Sequence, residues 1–126
     1  MAHTDGSVFP NPDGVGGWAV VLEDGRELSG RDECATNNRM EIRAVIEAMQ
    51  AGATEIHCDS TYVTGIINKG WKRKANHDLW AEFDLVRRPS VVFVYVKGHD
   101  GNPANERADV LAGEARLSAS LDPAAS

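Results

Sequence analysis

At 126 residues and 42% hydrophobic composition the chain has room for one domain around one core, which excludes a two-domain arrangement. Its formal charge of −6 excludes a protein that holds nucleic acid through overall positive potential, so any such contact has to be local. No apolar run approaches the roughly 20 residues of a membrane span, and Met1 leads straight into a strand pattern without the layout of a signal peptide, so the expectation is a cytoplasmic protein.

Residues 2 to 33 read as three short strands: one entering Asp5, one over Trp18 to Leu22 and one over about Glu27 to Glu33. The last two are joined by Glu23, Asp24, Gly25 and Arg26, whose Asp-Gly suits a tight hairpin turn. After Asn37 and Asn38 the period changes. Ile42, Val45, Ile46 and Met49 recur at helical spacing and Gly52 closes the segment, which predicts a helix from about Asn38 to Ala51 with Glu41 in its first turn. Thr54 to Asp59 alternates like a strand, and Ser60 or Thr61 can cap a short helix running to Ile67. Asp78 to Val86 reads as a further helix. The continuous apolar run Val91 to Val96 predicts a strand covered on both faces, inside the sheet. Asn102 and Pro103 open a last helix with Ala108, Leu111, Ala112 and Ala115 as its buried stripe. The expected division is one folded unit over residues 1–118 and a flexible tail over 119–126. Cys34 and Cys58 are the only cysteines and show no CxxC spacing, which speaks against a disulfide framework or a zinc site. Trp18 and Trp80 are expected in the core.

The order of elements implies a mixed sheet with helices on its faces, and ligands of such sheets gather outside the carboxyl ends of the strands. Asp5 and Asp59 are expected at or near those ends, with Glu41 and Asp109 beside the apolar stripes of their helices. All four carboxylates can then meet in one cleft. Carboxylate oxygens are hard ligands suited to Mg²⁺ or Mn²⁺, and two such ions about 3.5–4 Å apart clamp the attacking and leaving oxygens of a phosphodiester displacement. Without cations the clustered charges repel and at least one pKa rises. Taken singly, any one of these residues reads more readily as a solvated surface acid, and the Asp before Ser-Thr as turn or cap chemistry, than as a metal ligand.

Four motifs, TDGS at Asp5, TNNRME at Glu41, DSTYV at Asp59 and KGHDGNPANERAD at Asp109, stand in an order and at distances that resemble the type 1 ribonuclease H family from about Ala2 to Leu117. The resemblance implies an α/β ribonuclease H-like fold, with a mixed five-stranded sheet of three antiparallel strands followed by two parallel ones, and helices on both faces. It implies an endoribonuclease that cuts the RNA strand of RNA–DNA hybrids with two divalent ions, Mg²⁺ with Mn²⁺ able to substitute, leaving 5′-phosphate and 3′-hydroxyl ends. By motif the metal ligands are Asp5, Glu41, Asp59 and Asp109. His99, on the Gly-flanked KGHDG loop, is an auxiliary catalytic residue that shuttles a proton or helps product leave.

Substrate contacts are expected from Asn11, Asn37 and Asn38, whose amides can read the 2′-hydroxyl that separates RNA from DNA. Turn formation at Asn11 and helix capping at Asn38 are the structural alternatives. The resemblance further suggests that Thr36 and Asn105 hold a phosphate of the DNA strand. In KGWKRK, Trp71 offers a stacking face and Lys72 a phosphate contact. The chain departs from the family in several places. A longer basic protrusion is largely missing before the DLW segment, Thr61 stands where many relatives have Gln, and Cys34 stands where Arg is frequent. Only Met1 to Thr4 precede Asp5 in a strand expected at the centre of the sheet. The competing readings are a non-catalytic hybrid-binding module and a nuclease of the same architecture acting on another duplex. No membrane or protein partner is implied, and a monomer is expected.

Overall fold

The computed structural model describes residues 1–11, 13–98 and 101–118. Its elements in chain order are β1 (Ala2–Phe9), β2 (Gly14–Leu22), β3 (Glu27–Ala35), α1 (Asn37–Gln50), β4 (Glu55–Cys58), α2 (Thr61–Lys69), α3 (His77–Val86), β5 (Val92–Tyr95) and α4 (Pro103–Ser118). The strands form one five-stranded sheet in the order β3-β2-β1-β4-β5. The first three are antiparallel, while β4 pairs in parallel with both β1 and β5. The ribonuclease H-like mixed sheet expected from the sequence is the one observed.

The β2–β3 turn works as the Asp-Gly predicts. Gly25 takes the left-handed conformation (φ 94°) that a side chain resists, and the Asp24 carboxylate accepts the Arg26 N–H at 3.0 Å. Glycines also set how closely the helices approach. A side chain at Gly16 would collide with Met40 of α1, and one at Gly17 with the backbone of α4 at Ala112 and Arg116. Neighbouring strand residues face opposite ways, so α1 and α4 lie on opposite faces of the sheet.

On the α1 face, Val20, Ile42, Val45, Ile46, Met49, Ile56 and Phe93 join Trp80 and Phe83 of α3 in one core cluster. Arg43 bonds Glu82 with both arms at 2.7 and 2.8 Å, tying α1 to α3 from outside. Trp80 is fully buried, whereas Trp18 is partly buried against the cluster. Among the described residues no helix is long and apolar enough to cross a membrane.

Three expectations are corrected. The run at Val91 to Val96 forms β5 at the edge of the sheet, with Val92 54% exposed, because α4 packs over β1, β2 and β3 and does not extend across β5. The first strand is not short. It continues through Asp5 to Phe9, so Asp5 sits in the middle of β1 instead of at its carboxyl end. Glu41 is the fifth residue of α1, one step beyond its first turn, because the helix begins at Asn37 under a Thr36 cap.

Candidate active site

Although Asp5 lies mid-strand, it stands just beyond the end of the parallel ladder. That ladder pairs Thr4 with Cys58 and stops there, so β4 releases Asp59 beside Asp5. Parallel pairing thus creates the crevice that the sequence placed at a strand end. The Gly6 N–H donates to the Asp5 carboxylate at 2.9 Å and holds it in place. A side chain at Gly6 would sit 2.8 Å from the Glu41 backbone nitrogen, so α1 reaches the sheet here because position 6 has none. Glu41 is thereby carried into the same crevice.

One oxygen from each of Asp5, Glu41 and Asp59 lies within 4.8 Å of the others. Asp5 is 5% exposed and Glu41 7%, and one Glu41 oxygen is buried with no hydrogen-bond partner. Asp109, exposed on α4, faces Asp5 from the opposite side of the crevice and raises its pKa, but it is not one of the three carboxylates within 4.8 Å. Among the described residues no Lys or Arg forms an ion pair with any of the four. Burial, then the Asp59 charge, then Asp109 push the Asp5 carboxyl up to about 8. Burial first, and then Asp5 and Asp59, hold Glu41 well above the usual carboxylate range.

This donor set suits a hard divalent cation. Its ligands are all oxygens, a buried oxygen lacks any donor, and among the described residues no Lys or Arg pairs with the charge. Beneath the site, burial and the Glu41 charge push the Cys58 thiol up, so it stays protonated packing. Above it, Gly98 passes so close that an added Cβ would stand 3.0 Å from an Asp59 oxygen. His99 follows directly but lies outside the described residues, as do residues 119–126 of the expected tail.

The polar residues expected at the substrate divide into groups. The Asn11 side chain accepts the Asn37 N–H at 3.2 Å, which brings the β1–β2 turn against the start of α1, with Asn38 exposed next to it. Thr36, not Asn38, caps that helix, accepting the Arg39 N–H at 3.2 Å. Thr61 begins α2 under a Ser60 cap and shares a groove with Trp71 and Tyr95. Trp71 is half-exposed because the left-handed Gly70 turns the chain back, and its N–H reaches the Gly65 carbonyl. Lys72 is exposed in a hollow with Tyr62, Trp71 and Lys74. Arg73, by contrast, is held by Asp84 at 2.7 and 2.9 Å with its guanidinium 4.9 Å above Trp80, so the basic segment offers fewer free cations than its composition suggests.

The structure does not bring Thr36 and Asn105 together. Thr36 follows Ala35, which pairs with Gly14 beside the Phe9 end of β1, whereas Ala104 shares a hollow with Met1 and His3 at the other end. Six residues of strand separate these levels, about 20 Å. Asn105 is 3% exposed, on the helix that packs against the other face. The amide tied to the Thr36 corner is Asn76, which sequence reasoning passed over. Its oxygen accepts from Arg39 Nη1 at 3.3 Å and its nitrogen donates to the Tyr62 hydroxyl at 3.1 Å, with its backbone left-handed (φ 60°). The available signal was an Asn directly ahead of the HDLW helix, a position where Asn tolerates that conformation.

His3 and His57 face each other across β1 and β4 with ring centroids 4.9 Å apart. Burial, then His57 and the N-terminal charge, lower the His3 pKa. His77 is an exposed residue at the start of α3.

The comparisons with known proteins agree with this geometry. The family model for RNase H matches residues 1–116. A Ribonuclease H of Novosphingobium aromaticivorans is 43% identical over 92% of this chain and 95% of its own length. One of Thiobacillus denitrificans is 40% identical over 93% of each, and one of Saccharopolyspora erythraea 43% identical over 90% and 88%. With a fold of this topology, an acidic crevice at the β1–β4 junction and relatives matched over nearly their whole length, the chain belongs to the ribonuclease H family of hydrolytic endonucleases.

Proposed function

We propose that residues 1–118 form one catalytic domain that hydrolyses the RNA strand of RNA–DNA hybrids, leaving 5′-phosphate and 3′-hydroxyl ends, and that the protein works as a cytoplasmic monomer. The observation that carries this reading is the convergence of Asp5, Glu41 and Asp59 within 4.8 Å around a buried, unpartnered Glu41 oxygen. These three, with Asp109 from α4, would hold two Mg²⁺ ions, with Mn²⁺ able to substitute. Divalent ions in such a site polarise a phosphoryl oxygen and lower the pKa of water. The chain's own contribution is to fix the ligands. Gly6 orients Asp5, the Thr36 cap and the buried face of α1 fix Glu41, and the end of the parallel ladder fixes Asp59.

Asn11, Asn37 and Asn38 lie together at the start of α1, where amides can donate to and accept from a 2′-hydroxyl. Thr36 and Asn76 take the role at a DNA-strand phosphate that sequence reasoning gave to Thr36 and Asn105. Thr61, Trp71 and Lys72 extend the contact surface along α2. His99 acts as the proton shuttle, next in the chain to Gly98, where an added Cβ would stand 3.0 Å from an Asp59 oxygen. The test is cleavage of hybrid, duplex DNA and duplex RNA of one sequence, each with Mg²⁺ and with Mn²⁺. Cleavage confined to the RNA strand of the hybrid is expected. Binding without cleavage in either metal, or equal cleavage of another duplex, would overturn the reading.

A further inference from the structure

Beyond the acidic crevice, β1 and α4 meet a second time. Side chains two apart on a strand share a face, so Asp5, Ser7 and Phe9 all point toward α4. On the helix, Asp109 meets Asp5, and seven residues later the Arg116 guanidinium lies 5.7 Å from the centre of the Phe9 ring. The second pairing therefore sits about 13 Å further along β1 and about 10 Å further along α4. It runs in the direction of the Asn11 turn that touches Asn37.

Phe9 is 70% exposed even with Arg116 over it. A ring so open on the end of a central strand contributes little to the core. Arg116 is anomalous in a chain of 19 acidic residues. Six other arginines bond a carboxylate, yet among the described residues Arg116 forms no ion pair and its Nε is buried without a partner. The pair thus combines an open aromatic face with an uncommitted cation. That combination matches the backbone of a nucleotide, whose ribose can pack on an aromatic ring while its phosphate meets a guanidinium.

We infer that Phe9 and Arg116 form a remote contact for the RNA strand of the hybrid, the ring packing against a ribose and the guanidinium meeting the adjacent phosphate. The contact lies on the order of three nucleotides from the scissile linkage, at about 3.4 Å of helix axis each. The inference rests on the proposed hybrid substrate, and it gives the site a reach along the strand that the carboxylates alone lack.

The experiment is titration of a fluorescently labelled hybrid by anisotropy in EDTA, with cleavage in Mg²⁺ measured separately. Phe9→Ala is expected to weaken binding about 5-fold, the loss of roughly 1 kcal/mol of ring contact. Phe9→Trp is expected to restore it, whereas Phe9→Leu, apolar without an aromatic face, is not. Arg116→Gln is expected to flatten the slope of log affinity against log salt by about 1, and Arg116→Lys to keep it. Unchanged affinity in Phe9→Ala together with an unchanged slope in Arg116→Gln would overturn the inference. So would a wild-type protein that does not bind the hybrid at all. Binding that responds to these variants in a protein that never cleaves would leave the contact standing and remove the proposed activity instead.

Discussion

A carboxyl buried as Asp5 is ionises only when something compensates the charge. Its pKa, pushed up to about 8 by burial, Asp59 and Asp109, lies far above the value near 3.9 of an unfolded chain. Between those limits the folded protein binds more protons than the unfolded one. The stability this proton provides is therefore fully present below about pH 4 and lost as pH rises to about 8. Glu41, raised for the same reasons, acts in the same direction. We expect the metal-free melting temperature to fall between pH 5 and pH 8, and Mg²⁺ to restore it more at pH 8 than at pH 5. At a hundredfold excess over its Kd the ion adds about 2.7 kcal/mol, on the order of 10 °C for a domain of this size. Thermal unfolding by circular dichroism with EDTA or Mg²⁺ at both values measures this, and a pH-independent response to Mg²⁺ would contradict it. Asp5→Asn removes the ligand charge at nearly constant volume. It should abolish cleavage by at least about 100-fold while melting in EDTA at pH 8 no lower than the wild type.

Within elements, competing effects can be weighed by size. Gly65 lies inside α2, where Gly costs roughly 0.5–1 kcal/mol relative to Ala, so Gly65→Ala would ordinarily stabilise the helix. Here the new Cβ would stand 2.1 Å from Trp71 Cε3, and the ring has to leave. Trp71 is 49% exposed and can swing outward, losing packing of similar magnitude to the helix gain. We expect the melting temperature to change by only a few degrees while tryptophan emission shifts to the red and hybrid binding weakens. Emission identical to the wild type would show that the ring does not rest on Gly65. The same element logic explains what the sequence disclosed. Local chemistry was legible: Asp24-Gly25 turned the hairpin, the spacing of Ile42, Val45, Ile46 and Met49 marked α1, and Asn102-Pro103 started α4. Relations between distant segments were not. The apolar run of β5 promised cover on both faces, but the position of α4 decides that, and the run itself carries no trace of it. Asn105 matched a motif by type, yet only the strand register shows it at the far end of β1 from Thr36. Asn76 was hidden because its partners, Arg39 and Tyr62, come from two other helices.

For the whole molecule, the arrangement of charge matters more than its sum. Of 13 Lys and Arg residues, Arg26, Arg31, Arg39, Arg43, Arg73 and Arg107 bond carboxylates. Arg88 donates to the Met49 and Ala53 carbonyls, and Arg87 lies over Phe83 and Phe93. Among the described residues Lys69, Lys72, Lys74, Lys97 and Arg116 form no ion pair and remain for phosphates, Lys69 lying over the exposed Trp71 ring and Arg116 over the exposed Phe9 ring. The 70–76 segment supplies two of these, directly between α2 and α3, where a longer basic protrusion would have brought more. Each phosphate neutralised contributes about −0.9 to the slope of log affinity against log salt. With Lys72, Lys74 and Arg116 engaged, we expect a slope near −3, so that raising salt from about 50 to about 200 mM weakens hybrid binding roughly 60-fold. Even all five free cations would give no more than about −4.5. A slope steeper than about −5 would require the paired arginines to abandon their carboxylates on binding, and would refute this account of how an acidic protein grips a polyanion.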